Sequence, residues 1–382
     1  MPARASTGRR IPRGLHPVAW WLWAAGLAVA VSRTSNPLLL AMVLAVLGYV
    51  VSARRTDAGW ARGFKYYLWF ALIVVAIRVV FRSVFASPVT PDDHILFSLP
   101  RLPMPGWYAG VQLGGPVSLE ASLSAALDGL RLACILCCIG AANSLANPKR
   151  ALRVLPGALY ELGVAVTVSI SVAPQLIDSV RRVHRARQLR AGRRAGVRGL
   201  RSVAVPVLED ALARSLQLAA AMDSRGYGRT GTASRASRRL TAALLLLGVV
   251  GLAAGMYGLL DNTLPAAFGL PVLLAGSLLC CGGLLAGNRR VSRTSYRPDP
   301  WRAPEWLVSG SGLLCAALLI VAGSVAPAAL NPSLYPLSWP PLPVLPTIAI
   351  LLAATAGVAA PPPPARLPVA GRPVPARTRV AA

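Results

Sequence analysis

Acidic residues are scarce in this chain. Its 382 residues hold only 13 Asp and Glu against 40 Lys and Arg, and charged residues of both signs make up 14%. A soluble domain carries about 25% charge, so this shortage argues against a soluble enzyme. Lysine is nearly missing: apart from Lys65 and Lys149, the bases are all arginine. Histidine is confined to the scattered His16, His94 and His184, which gives no credible metal site. The cysteines Cys134, Cys137, Cys138, Cys280, Cys281 and Cys315 all fall in apolar runs. A zinc site needs more ligands than the first three offer, so they read as small buried hydrophobes. No G-x-x-x-x-G-K-[ST] run is present, so the chain is not expected to hydrolyse ATP itself. No catalytic triad can be defended, and no cofactor is expected.

What is abundant is apolar sequence, 55% of the chain. The arginines punctuate long uncharged runs, as the inner loops of a membrane protein do. A nucleic-acid partner would need a folded basic domain with aromatic residues interleaved, and beside Tyr227 there is little of that. The expected environment is therefore the lipid bilayer. A helix crosses it with about 20 apolar residues. Apolar runs at 17–32, 34–53, 66–86 and 120–143 give four spans, the first two as a retained hairpin rather than a cleaved signal. Residues 87–118 read as a long outer loop. After the short apolar segment 162–177, broken by Pro174, come 240–260, 266–287, 306–328 and 343–360, then a Pro/Ala/Arg-rich tail expected to be disordered.

Segment 178–239 contains 15 arginines and 4 acids. If 162–177 crossed the membrane, that segment would lie outside, against the positive-inside rule. The expected fold is all-α: a polytopic helical membrane protein with about eight transmembrane helices, an apolar helix lying along the membrane, and cytoplasmic helices after it. Both termini are expected in the cytoplasm. The expected division is 1–157, a four-span membrane domain; 158–239, the lateral helix and cytoplasmic helices; 240–360, the C-terminal spans; and 361–382, the tail. Within 178–239, one helix is expected from Pro174 to about Ala191, ended by Gly192, Gly196 and Gly199. A second is expected to start at Pro206, with Glu209 and Asp210 in its first turn. Leu208, Leu212, Leu216, Ala219 and Met222 recur at helical spacing as one buried stripe. The helix ends at Arg225-Gly226-Tyr227-Gly228, which on local chemistry alone is an ordinary C-terminal cap.

The run Ala221-Met222-Asp223-Ser224-Arg225-Gly226-Tyr227-Gly228 resembles the second Ala-Arg-Gly signature of the transmembrane T component of energy-coupling-factor (ECF) transporters, the CbiQ/EcfT family. Ser224 replaces the usual alanine. Val205-Pro206-Val207-Leu208 and Ala213-Arg214 resemble the family's preceding positions. The first signature is degraded: Leu189-Arg190-Ala191 is its best register, with the glycine displaced to Gly192, and a register on Arg187 is the alternative. Leu15-His16-Pro17, Asn36-Pro37-Leu38, Leu130-Arg131-Leu132 and Asn147-Pro148 resemble other family positions, so the likeness spans about 15–260.

The resemblance implies a subunit without ATPase activity. Two cytoplasmic coupling helices would dock on two ABC ATPase subunits through Arg190 or Arg187 and through Ser224, Arg225 and Gly226. Pro206, Leu208, Leu212, Leu216 and Met222 would build the second coupling helix. A small S component would bind a vitamin or transition metal in the plasma membrane. The family ends about one span after the second signature, so three further apolar runs here stand either as extra spans or as an appended domain.

Charges within spans usually mark function or a structural pair. Arg78 in the third span can pair with Asp128 in the fourth, beside Arg131, and the pair reads as locking the bundle. The alternative function is a self-contained, ion-coupled secondary transporter using these charges. Such a transporter should contain internal repeats, and none is evident in the sequence.

Overall fold

The computed structural model describes residues 14–56, 63–85, 94–102, 113–154, 159–189, 197–227, 235–260, 265, 268–288, 300–334 and 339–362. Arg190, Gly192, Gly196, Gly228 and the tail from 363 lie outside these. The chain divides into two compact units: Met1–Pro148 with Asp299–Ala382, and Lys149–Pro298.

In the first unit, α1 (Pro17–Ser32) and α2 (Pro37–Arg54) form a hairpin. Each starts at a proline, whose missing N–H costs nothing in a first turn. The preceding side chain caps each helix: His16 Nδ1 accepts from Val18 N at 3.3 Å, and Asn36 Oδ1 from Leu38 N at 3.0 Å. Then come α3 (Phe64–Val84), β1 (Ile95–Leu102), β2 (Leu113–Ser118) and α4 (Leu119–Leu145), which Ser118 caps from Ala121 N. The expected outer loop thus contains an antiparallel hairpin, pairing Phe97 with Val117 and Leu99 with Gly115. Gly114 and Gly115 adopt positive φ (81° and 132°) beside its irregular register, a conformation in which glycine is at ease. The short α5 (Pro148–Arg153) follows, and from Lys149 on it belongs to the second unit.

The C-terminal helices return to this unit: α10 (Ala303–Val325), α11 (Pro327–Leu330), α12 (Val344–Ala354) and α13 (Ala356–Ala359). They are not a separate appendage, and Ala303–Val325 is long and apolar enough to cross a membrane. Val308, Cys315, Leu319, Ala349 and Ile350 share one core with Trp23, Leu27, Leu40, Leu47, Cys134, Cys137 and Cys138. The buried cysteines act as small apolar residues there; Cys281, by contrast, is exposed.

The second unit holds α6 (Tyr160–Leu189), α7 (Val197–Asp223), α8 (Arg235–Leu260) and α9 (Leu270–Asn288). α8 and α9 form a tight pair, and Gly248, Gly251, Gly255 and Gly276 let the backbones approach. Small residues at such contacts are the usual means of helix packing in lipid. By their contacts, α8 and α9 group with α6 and α7, and α10–α13 with the N-terminal bundle.

Among the described residues, seven helices are long and apolar enough to cross a membrane: Pro37–Arg54, Phe64–Val84, Leu119–Leu145, Leu162–Ala186, Arg239–Leu260, Leu270–Gly287 and Ala303–Val325. Pro17–Ser32 and Val344–Ala359 are shorter apolar helices. The protein is an all-α polytopic membrane protein, with one small β-hairpin among the described residues. Leu162–Ala186 joins the set because its helix does not stop at Pro174.

Candidate functional site

Both α6 and α7 are longer than the prolines suggest. α6 runs 30 residues through Pro174, and α7 runs 27 through Pro206. The expectation that Pro206 opens the second helix is corrected: Val197 does. A proline inside a helix removes one backbone bond and crowds the turn before it. The amides of 174 and 206 are lost as donors, but the neighbouring turns continue. Before Pro174 the hydroxyls of Thr167, Ser169 and Ser171 bond back to the carbonyls of Gly163, Ala165 and Thr167, so the side chains stay within the helix.

α6 and α7 are joined by a polar cluster on Asp210. The Ser179 hydroxyl donates to Asp210 Oδ2 at 2.6 Å, and Arg182 donates to the same oxygen at 3.3 Å. From within α7, Arg214 Nε donates to Asp210 Oδ1 at 3.0 Å, with its second nitrogen 3.0 Å from Oδ2. The Ser179 hydroxyl, opposed by burial and helped by the Arg214 and Arg182 guanidinium groups, holds the Asp210 carboxyl below its ordinary range. The acid expected to favour the helix dipole instead ties two helices together. Its i,i+4 spacing to Arg214 was readable in the sequence; its bond to Ser179, 31 residues away, was not.

Next to this cluster the two helices enclose a groove of 880 Å³. Val168, Val172 and Leu176 line it from α6, and Leu218, Ala219 and Met222 from α7. The expected single stripe is therefore divided. Ala219 and Met222 face α6, whereas Leu208, Leu212 and Leu216 are 67%, 62% and 64% exposed. Those three leucines are not buried within this chain, because the face turned to α6 belongs to Ala211, Ser215 and Leu218.

The end of α7 is sharply defined. Gly226 has φ 74°, its N–H donates to Asp223 O at 2.9 Å, and Tyr227 N–H donates to Met222 O at 3.0 Å. This is the Schellman pattern, which needs a left-handed residue and so favours glycine. It leaves Ser224 and Arg225 exposed at the helix tip. On the first signature, Arg187 lies in the last turn of α6. Arg190 is outside the described residues.

A family model described as CbiQ, cobalt transport protein, matches residues 8–235, well over half of the chain. The chain belongs to the CbiQ cobalt transport protein family. No curated protein matches it. The CbiQ match includes α6, α7 and the Arg225 tip and stops where α8 begins. The whole of α10–α13 lies beyond the family match.

The intramembrane charges of this CbiQ chain are not joined as expected. α3 packs along α4, and Gly129 sits against Val75 and the stem of Arg78. Arg78 and Asp128 are thus neighbours on adjacent helices, yet both are exposed. Among the described residues, no hydrogen bond or ion pair links Arg78, Asp128 and Arg131. Asp128 lies six residues toward the β-hairpin from Cys134, whose thiol meets the carbonyl of Leu40 in the first turn of α2. The charges therefore stand toward one end of the first unit, where a charged side chain costs less than at mid-depth.

Proposed function

We propose that this CbiQ-family chain is the transmembrane coupling subunit of an ECF-type importer. It transmits motion from two ABC ATPase subunits to a small membrane subunit that binds the substrate, a transition metal such as cobalt or a vitamin. ATP hydrolysis belongs to the ATPase subunits. The observation that carries this reading is the α7 tip. Gly226 closes the helix and leaves Arg225 free to enter a partner, with exposed leucines on the same helix. The Asp210 cluster supplies the mechanical link by which a push on α7 reaches α6.

The packing of the first unit supports a lateral α6. His16 and Trp301 rings lie 5.1 Å apart, so α1 and α10 start at one end. Arg54 donates to the carbonyls of Gly357 and Val358, so α2 and α13 finish at that same end. Asn143 donates to Tyr67 OH at 3.0 Å, so α4 finishes where α3 starts. The chain leaves this unit after Pro148 and re-enters before Trp301 at the same end. The number of crossings between them is then even. α8 and α9 supply two, which leaves none for α6 unless the arginine-bearing α7 also crosses. With that end in the cytoplasm of a plasma-membrane protein, Arg54, Arg55 and the arginines of α6 and α7 all lie inside.

The test is radiolabelled-cobalt uptake by cells expressing the full transporter, with the proton gradient collapsed while ATP is maintained. Continued uptake, lost on ATP depletion, supports coupling to ATPases. Uptake that stops with the gradient favours an ion-coupled carrier and refutes this assignment.

A further inference from the structure

The helices beyond the family match are packed as a counterpart of the first hairpin. α1–α2 and α10–α12 lie side by side and run in the same direction. His16 meets Trp301 at one end, Gly26 meets Gly312 midway, and the Thr34 hydroxyl donates to Leu330 O at the other. The second helices repeat the pattern, with Asn36 meeting Pro341 O, Tyr49 meeting Gly357, and Arg54 meeting Gly357 O and Val358 O. Midway along the helices the like positions Gly26 and Gly312 come together. A Cβ on Gly26 would fall against the Gly312 backbone, and a Cβ on Gly312 against the Trp23 backbone, so both glycines lie at the close approach of α1 and α10.

The turns also exchange bonds reciprocally. Asn36 of the first hairpin donates to Pro341 O at 2.7 Å and Ala329 O at 3.3 Å. Asn331 of the second accepts from Ser35 N at 3.0 Å and donates to Arg33 O at 3.5 Å. Such mutual contact of like with like is the mark of a two-fold, isologous interface.

Seen through these contacts, a repeat emerges that the sequence alone hid. Trp20 precedes Gly26 by the same interval as Trp306 precedes Gly312, and both helices open with a proline, Pro17 and Pro304. Both turns carry Asn-Pro, Asn36-Pro37 and Asn331-Pro332. The repeat is masked by the longer second turn, which contains α11.

We propose that α10–α12 is an in-chain second copy of the α1–α2 hairpin, and that the α1–α2 face is a surface for a hairpin of this kind. The face is filled by the chain's own C-terminal hairpin and is closed to a separate protein. A substrate-binding or other membrane partner must then approach on other faces. This inference does not rest on the coupling role; the repeat it describes is one hairpin at each end of the chain and leaves out Arg78, Asp128 and Arg131, the charges that the ion-coupled alternative would use.

The test inserts a protease site between Asn288 and Pro300 of the full-length protein. The purified protein is cut in mild detergent and passed through a sizing column. The C-terminal fragment should co-elute with the remainder. Gly312→Leu, which drives a side chain into the Trp23 backbone, should release most of it. Gly310→Leu, two residues away where a side chain meets open space, should retain it. If Gly312→Leu prevents folding before cleavage, Asn331→Ala takes its place and should release a measurable fraction. Separation of the fragment from the unmutated cut protein overturns the proposal. So does equal retention by the Gly310 and Gly312 variants, or by Asn331→Ala where that variant is used.

Discussion

Asn36 offers a sharp test of how the first unit is held together. Its side chain has no exposure and serves two tasks at once. Its oxygen caps α2 through Leu38 N, and its amide nitrogen donates to Ala329 O and Pro341 O in the C-terminal turn. Loss of an N-cap costs about 1 kcal/mol. Each donated bond contributes about 1 kcal/mol, so Asn36→Ala should cost roughly 3 kcal/mol altogether. Asn36→Asp keeps the capping oxygen but turns the donor into an oxygen facing two carbonyl oxygens. An unsatisfied buried polar group costs about 1–3 kcal/mol, so the aspartate should be at least as harmful as the alanine. If capping were the whole role, the aspartate would match the wild type.

The assay is thermal unfolding in detergent by tryptophan fluorescence. No tryptophan falls within residues 149–298, the second unit, so the signal does not report on that unit. For a unit of this size 1 kcal/mol shifts Tm by about 2–4 °C, which gives Asn36→Ala a loss of roughly 6–12 °C. An Asp variant near wild type with a weakened Ala variant would refute the cross-hairpin account.

Two further predictions concern the second unit. The Asp210 carboxyl is held below its ordinary range in the folded protein, so its contribution is complete above the ordinary aspartate pKa and is lost as pH falls through the lowered one. Spin labels on α6 and α7 should keep their separation from pH 8 to 5 and diverge only below about pH 4, whereas Asp210→Asn should separate them at neutral pH. A separation that changes between pH 8 and 5 would contradict the cluster as drawn. Replacing the exposed Leu212 and Leu216 by serine should alter stability by no more than about 0.5 kcal/mol each, yet abolish uptake; a large Tm loss would instead make them core residues.

Much of the local structure was legible. Pro17, Asn36-Pro37 and Ser118 announce helix starts, and Gly226 announces a stop, because caps depend on neighbours in sequence. Apolar run length identified most of the long helices. What was not legible depends on distant partners. Nothing near Pro174 or Pro206 says that the helix continues past them. Asp210 reads as a dipole-friendly acid until Ser179 is brought beside it. The return of α10 to α1 joins Gly26 to Gly312 across most of the chain, and no local pattern encodes it. The three leucines of α7 have helical spacing, but spacing cannot say whether a face meets the same chain or another.

The coupling assignment itself rests on Arg225, and the most direct measurement is affinity purification of the tagged protein from native membranes beside its Arg225→Glu counterpart. Wild type should bring down ABC ATPase subunits, and the glutamate variant, at equal abundance and with unchanged Tm, should lose them. Equal recovery with both forms, or no ATPase with intact and abundant wild type, would contradict the account.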